Sequence, residues 1–180
     1  ASSLIRPLIK ALPLHKFIVA DYTSIEAWVT AWVANENDVL NDIRHGLDLY
    51  KAIAARMFNV NYQAVDKMQR QIGKICVLAA GFAGGYKALL RLAEAYGIPL
   101  LGSDARLYIK DFRKARPLLV RCWKVFGDAA LEACNMVKPV VAVEGLGCPI
   151  YFHKKGPHLY MKLPSGRDIC YPNARVELVA

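Results

Sequence analysis

A chain of 180 residues with 55% hydrophobic and 22% charged residues can bury a sizeable core, which excludes disorder as a general description. Lys and Arg number 24 against 15 Asp and Glu, a formal charge of +9 that suits a polyanionic partner. The five cysteines are scattered and never form a CxxC pair, which argues against a zinc site or a disulfide framework and favours a reducing compartment. No uncharged apolar run approaches the roughly 18 residues that span a bilayer, and the start has no apolar stretch with a cleavage site. A soluble, cytoplasmic protein without membrane contact is the expectation.

In chain order, Phe17-Ile18-Val19-Ala20 is a short apolar run that reads as a buried strand ending at Asp21. Thr23-Ser24-Ile25-Glu26 matches a capping box, and an apolar helix follows through Ala34. Asn35 to Gly46 is polar and reads as a loop with a helical turn. Leu47 to Phe58 has helical spacing, broken by Asn-Val-Asn at 59–61. Asp66 to Phe82 is the longest periodic helix, with Asp66 to Gln69 as its cap and Gly81, Gly84 and Gly85 at its end. Ala88 to Tyr96 is a further helix. Ser103 is placed to cap a helix through Ala115, Pro117 interrupts it, and Leu118 to Met136 continues. After Lys138-Pro139 the periodicity changes to short alternating runs separated by Lys-Lys-Gly-Pro and Pro-Ser-Gly-Arg, the pattern of an antiparallel meander.

Two constellations carry chemistry. Asp21, at the end of an apolar run, is placed to hold Mg²⁺, a hard ion that takes oxygen ligands and bridges to phosphates. Equally, Asp21 can cap a turn and Glu26 can complete a capping box. Arg70, Lys74, Leu78 and Phe82 recur every four residues and so share one helix stripe. Two cations a turn apart suit a triphosphate and an aromatic further along suits a base, but a solvated helix end running into core explains the same stripe. A third feature is the basic stretch Arg106, Lys110, Arg113, Lys114, Arg116, Arg121 and Lys124, a candidate track for a DNA backbone or simply a solvated face. None of the four histidines has metal-ligand spacing with a cysteine. Trp32, Met57 and Met68 sit in apolar patterns and read as core.

Together these segments resemble family A (polymerase I-like) DNA polymerases, particularly phage and prophage members. Asp21-Tyr-Thr-Ser-Ile-Glu-Ala27 resembles motif A, and the run from Arg70 to Phe82 resembles motif B on the fingers helix. Ile5-Arg6 upstream, Asp48-Leu-Tyr-Lys, Arg116-Pro117 with Trp123, and Leu-Pro-Ser-Gly-Arg at 163–167 before Tyr171-Pro172 extend the likeness over nearly the whole chain. The resemblance implies an α+β fold, mainly helical fingers with the motif A palm strand and a small C-terminal antiparallel meander. It implies a palm segment over 1–34, fingers over 35–137 and a meander over 138–180. Asp21 and the Tyr22 carbonyl would then bind the catalytic Mg²⁺ ions, and Glu26 would face the sugar. Arg70 and Lys74 would hold the triphosphate, with Lys74 also passing a proton to the leaving pyrophosphate. Phe82 would stand beside the templating pair, and Arg106, Lys110, Arg113 and Lys114 would follow the DNA. The implied activity is template-directed DNA synthesis from dNTPs on a primer-template.

Some positions depart from the pattern. Trp28 stands where Arg is usual, Phe82 replaces Tyr, and Ala83 stands where Gly is common, which would stiffen a hinge. No carboxylate after residue 144 lies in a His-Asp pair, so motif C and the thumb are expected to be absent. A piece of a longer polymerase, a split-polymerase subunit and a decayed prophage reading frame all fit, as does a non-catalytic module that binds DNA or dNTP. The unpaired run 17–20 is expected to be covered by the chain's own N-terminus or by a second copy, so a homo-oligomer or a complementing fragment is a candidate partner.

Overall fold

The computed structural model describes residues 8–135 and 140–177. Ile5-Arg6, Met136 and Lys138-Pro139 lie outside the described residues. Among the described residues, seven α-helices and one four-stranded antiparallel sheet make up an α+β fold, as the change of periodicity predicts. Among the described residues no helix is long and apolar enough to cross a membrane.

The helices are α1 (Ile25–Val33), α2 (Asn37–Arg44), α3 (Leu49–Phe58), α4 (Lys67–Ala80), α5 (Tyr86–Ala95), α6 (Gly102–Ala115) and α7 (Pro117–Cys134). Their centre is α4. Asp66 accepts a hydrogen bond from the Gln69 backbone N–H at 2.8 Å, and Gln69 Oε1 accepts one from the Asp66 N–H at 3.0 Å, so the expected capping box is present. Ile72, Ile75, Cys76, Val77 and Ala80 of α4 are buried. Gly73 lets α3 approach closely: a Cβ there would lie 2.5 Å from the Tyr50 carbonyl oxygen. Ile53, Ile75, Cys76, Leu89, Phe112 and Leu119 form the deepest layer of this helical core. Burial raises the Cys76 thiol to about 12, and all five cysteines are free.

α7 belongs to two cores. Pro117 opens it at the first turn, where its missing N–H costs nothing. Leu119 and Cys122 face the helices, and Ala129 and Ala133 pack against the sheet with Val141, Phe152 and Leu159. The strands β1 (Val140–Ala142), β2 (Tyr151–Lys155), β3 (His158–Lys162) and β4 (Asp168–Tyr171) pair in sequence order. Gly156, at φ +60°, and Pro157 turn β2 into β3 with two residues, which is the tightest hairpin connection.

Several expectations need correction. Phe17 to Ala20 is not a strand. It has no regular secondary structure and is exposed, with Ile18 95% and Val19 89% accessible. A strand exists only through a neighbour's hydrogen bonds, and none of the described strands pairs with this run. The box at Thr23 to Glu26 does not form either. Ser24 is the N-cap of α1 but adopts the left-handed conformation, makes no cap bond, and donates its hydroxyl to Tyr50 Oη at 3.1 Å. Asn35 to Gly46 contains the two-turn helix α2, since Val39, Leu40 and Ile43 fall on one side and pack on the core. Ser103 lies inside α6, whose N-cap is Leu101. Met57 is buried as expected, but Trp32 and Met68 are exposed.

Candidate nucleotide-binding cleft

A cleft of about 230 Å³ lies between the segment entering α1 and the C-terminal end of α4. Asp21, Tyr22, Ser24 and Glu26 line one wall, and Val77, Leu78, Gly81 and Phe82 line the other. Tyr50 and Arg116 complete it. Four of the residues singled out from the sequence (Asp21, Tyr22, Glu26 and Phe82) therefore meet in one place although 61 positions separate Asp21 from Phe82.

The stripe is partly as expected. Arg70, Lys74 and Leu78 are half-buried on α4, but the helix ends at Ala80, so Phe82 stands in the following turn. Phe82 is 67% exposed, which rules out a core role and leaves its ring face accessible. The next residue, Ala83, has φ +62°, a conformation that costs an L side chain about 1 kcal/mol or more. Trp123 Nε1 donates to the Gly81 carbonyl at 3.3 Å and ties this turn to α7.

Arg70 and Lys74 lie one to three turns before the cleft on the same helix and do not line it. Arg70 donates from Nε and Nη2 to Asp48 Oδ2 at 2.8 and 2.6 Å, and its guanidinium lies 5.7 Å from the Tyr50 ring. The other oxygen, Asp48 Oδ1, accepts from the Lys51 N–H at 2.9 Å and caps α3. Partial burial opposes ionisation of Asp48. The Lys51 N–H, the Arg70 guanidinium and the Tyr50 N–H outweigh it and hold the carboxyl below its ordinary value. One side chain thus starts α3 and orients a cation on α4. Lys74 Nζ rests 4.6 Å from the Tyr96 ring, with its charge available to solvent.

Arg116 behaves unlike the rest of its basic stretch. It is 2% exposed and forms a forked ion pair with buried Glu36, Nε donating to Oε1 at 2.9 Å and to Oε2 at 2.7 Å, and Nη2 also donating to Oε2. This correction has a simple cause: a guanidinium taken out of water must be matched by a carboxylate, and Glu36 is the buried one. Arg106, Lys110, Arg113 and Lys114 are exposed on α6. The Arg106 guanidinium stacks 3.6 Å from the Tyr86 ring, and Arg106, Lys110 and Arg113 share a shallow groove with it.

Asp21 and the Tyr22 carbonyl offer two oxygen donors of the kind Mg²⁺ takes, and Glu26 adds a second carboxylate to the same cleft. Among the described residues no group of three or more His, Cys, Asp or Glu side chains converges for a metal ion. The donor chemistry fits part of a Mg²⁺ shell, with phosphate oxygens and water left to complete it. Sequence patterning assigns no role to Tyr50 or Glu36 and does not pair Asp48 with Arg70. Asp48 had a visible signal, as an N-cap residue heading a helical run.

The profile of the family described as DNA polymerase family A matches residues 1–132. A DNA polymerase of Bacillus phage SP02 is 34% identical over 182 residues, covering 98% of this chain and 27% of the relative. DNA polymerase I of Chloroflexus aurantiacus is 37% identical over 94 residues, covering 52% of this chain and 10% of the relative. DNA polymerase I of Pseudomonas aeruginosa is 36% identical over 98 residues, covering 54% of this chain and again 10% of the relative. The chain therefore spans about a quarter or less of the length of these relatives.

Proposed function

Because the chain belongs to DNA polymerase family A, we propose that it is the part of a DNA-directed DNA polymerase that receives the incoming dNTP and presents it to a primer-template. The observation that carries this reading is the single cleft that joins Asp21, Tyr22 and Glu26 to Leu78 and Phe82. In this proposal the motif A segment lies within 1–34, the fingers within 35–137 and the meander within 138–180.

The residues divide the work by chemistry. Phe82 offers an exposed ring for the base pair, and Glu26 stands on the opposite wall, where the sugar would lie. Arg70, oriented by Asp48, and Lys74 supply two cations upstream on the same helix for the triphosphate. Lys74, an ammonium with three donors, would give a proton to the leaving pyrophosphate. Asp21 and the Tyr22 carbonyl would hold Mg²⁺, which when bound neutralises phosphate charge as the primer hydroxyl attacks. Arg106, Lys110, Arg113 and Lys114 offer cations to the DNA backbone.

A second reading has its own support. Two-metal transfer needs converging carboxylates, and the described residues bring no group of three ligating side chains together. On this reading the chain holds dNTP and DNA while another polymerase fragment completes the catalytic centre.

Both readings require nucleotide binding, and calorimetric titration of the chain with dNTP and Mg²⁺ tests it. Lys74→Ala is expected to weaken binding by about 1–3 kcal/mol, the range for a hydrogen bond to a charged group. Equal affinities for the two proteins would reduce the stripe to ordinary helix surface.

A further inference from the structure

The sheet shows one face to α7, and among the described residues no element covers the other. Phe152 and Leu159 are buried on the α7 side, so their neighbours in sequence point away from it. The register places His153 opposite Tyr160 and Tyr151 opposite Lys162 on that outer face, with Lys155 beyond them at the hairpin. The His153 and Tyr160 rings stack, with centroids 5.3 Å and planes 11° apart, and His158 meets Tyr160 edge-on at 6.4 Å. Tyr151, Lys155 and Lys162 are exposed. Among the described residues of these strands one carboxylate shares the face: Asp168, directly opposite Lys162, with Oδ1 3.7 Å from His153 Nε2. The family profile ends at residue 132, before the sheet begins.

We propose that this open sheet face binds single-stranded DNA, with bases against the Tyr151 and Tyr160 rings and phosphates at Lys155 and Lys162. The proposal rests on the reading that the chain handles DNA, yet it uses no residue of the cleft. Aromatic rings flanked by lysines match an unpaired strand in two ways at once: every base has a π-face to stack, and every linkage has a negative charge. A duplex hides its base faces within its own stack, so it could use only the lysines. An acidic peptide could likewise use only the lysines and would make no use of the exposed Tyr151 ring.

Fluorescence anisotropy with the whole chain and a labelled dT12 oligonucleotide tests this. Tyr160→Ala is expected to weaken dT12 binding about tenfold, the typical loss of one base–aromatic stack, and Tyr160→Phe is expected to bind as the unaltered chain does. Changing both Lys155→Gln and Lys162→Gln is expected to make the slope of log K against log salt shallower by about 1.4, near 0.7 for each single-strand phosphate that a lysine no longer neutralises. These two lysines are exposed, so the double variant carries the test if Tyr160→Ala fails to fold. The proposal is overturned if dT12 binding is indifferent to both changes. It is also overturned if binding falls only with Lys110→Gln on α6, or if a duplex is affected by Tyr160→Ala as strongly as dT12. Failure of the cleft reading shows separately, as a dNTP titration that Lys74→Ala leaves unchanged.

Discussion

The two walls of the cleft are built in opposite ways. The α4 wall is specified locally and locked in place: a reciprocal capping box starts the helix, five side chains and Gly73 are buried along it, and Asp48 orients Arg70 in its second turn. The facing wall begins with Asp21 to Ser24, which enter α1 without regular structure and follow the exposed run Phe17 to Ala20. Its link across to the helices is the Ser24 hydroxyl on Tyr50. The side that would grip phosphates is therefore preorganised by its own sequence. The side that would carry the carboxylate takes its shape from elsewhere, as an extended segment must when no neighbouring strand supplies hydrogen bonds.

The largest expected effect lies where both walls share support. Arg116 lines the cleft and is buried with Glu36, which stands at the N-cap position of α2 just beyond α1 and gives its carboxylate to Arg116 instead of to the helix. Glu36→Ala leaves the guanidinium buried without its carboxylate, a change that costs about 3–5 kcal/mol. Urea denaturation monitored by circular dichroism measures it. A loss below about 1 kcal/mol, the scale of surface pairs, would mean that the pair is solvated and that the two walls do not depend on a common buried charge.

What the sequence made legible follows the same division. The capping box at Asp66, the helical stripe and the β-meander are local patterns, in which a residue's neighbours three or four positions away decide its state. The pairs Asp48–Arg70 and Glu36–Arg116 are 22 and 80 residues apart, and no periodicity reports such a distance. Arg116 shares its stretch with basic neighbours, and adjacent charge is visible in a sequence where burial is not. The run Phe17 to Ala20 has strand composition, but composition supplies no partner. The site residues Asp21, Tyr22, Glu26 and Phe82 were recognisable through motif resemblance; only the fold shows that they line one cleft.

A smaller effect probes the end of the ordered wall. Ala83 holds a left-handed backbone where glycine would be unstrained, and its N–H bonds the Ala80 carbonyl at 3.1 Å. Ala83→Gly removes about 1 kcal/mol of conformational strain, offset in part by the greater freedom of glycine in the unfolded chain. A rise in the urea midpoint is the expected outcome. A fall would show that the methyl group packs in the turn after α4 and that the wall's ordered part extends through Phe82.

The smallest expected effect concerns the exposed run that leads into the open wall. Ile18 and Val19 are 95% and 89% exposed, so replacing both with serine removes almost no buried apolar surface from the folded chain. Changes at such positions shift stability by no more than about 0.5 kcal/mol, and the expected urea midpoint equals that of the unaltered chain. The same replacement is expected to lower self-association in concentration-dependent light scattering, because a contiguous exposed apolar run is a surface that seeks cover. A stability loss above about 1 kcal/mol would contradict the contrast between the walls, since a side chain can cost that much only if it is packed. Such a result would place Asp21 on a wall as firmly held as α4, and the carboxylate would then be as preorganised as the helix across the cleft.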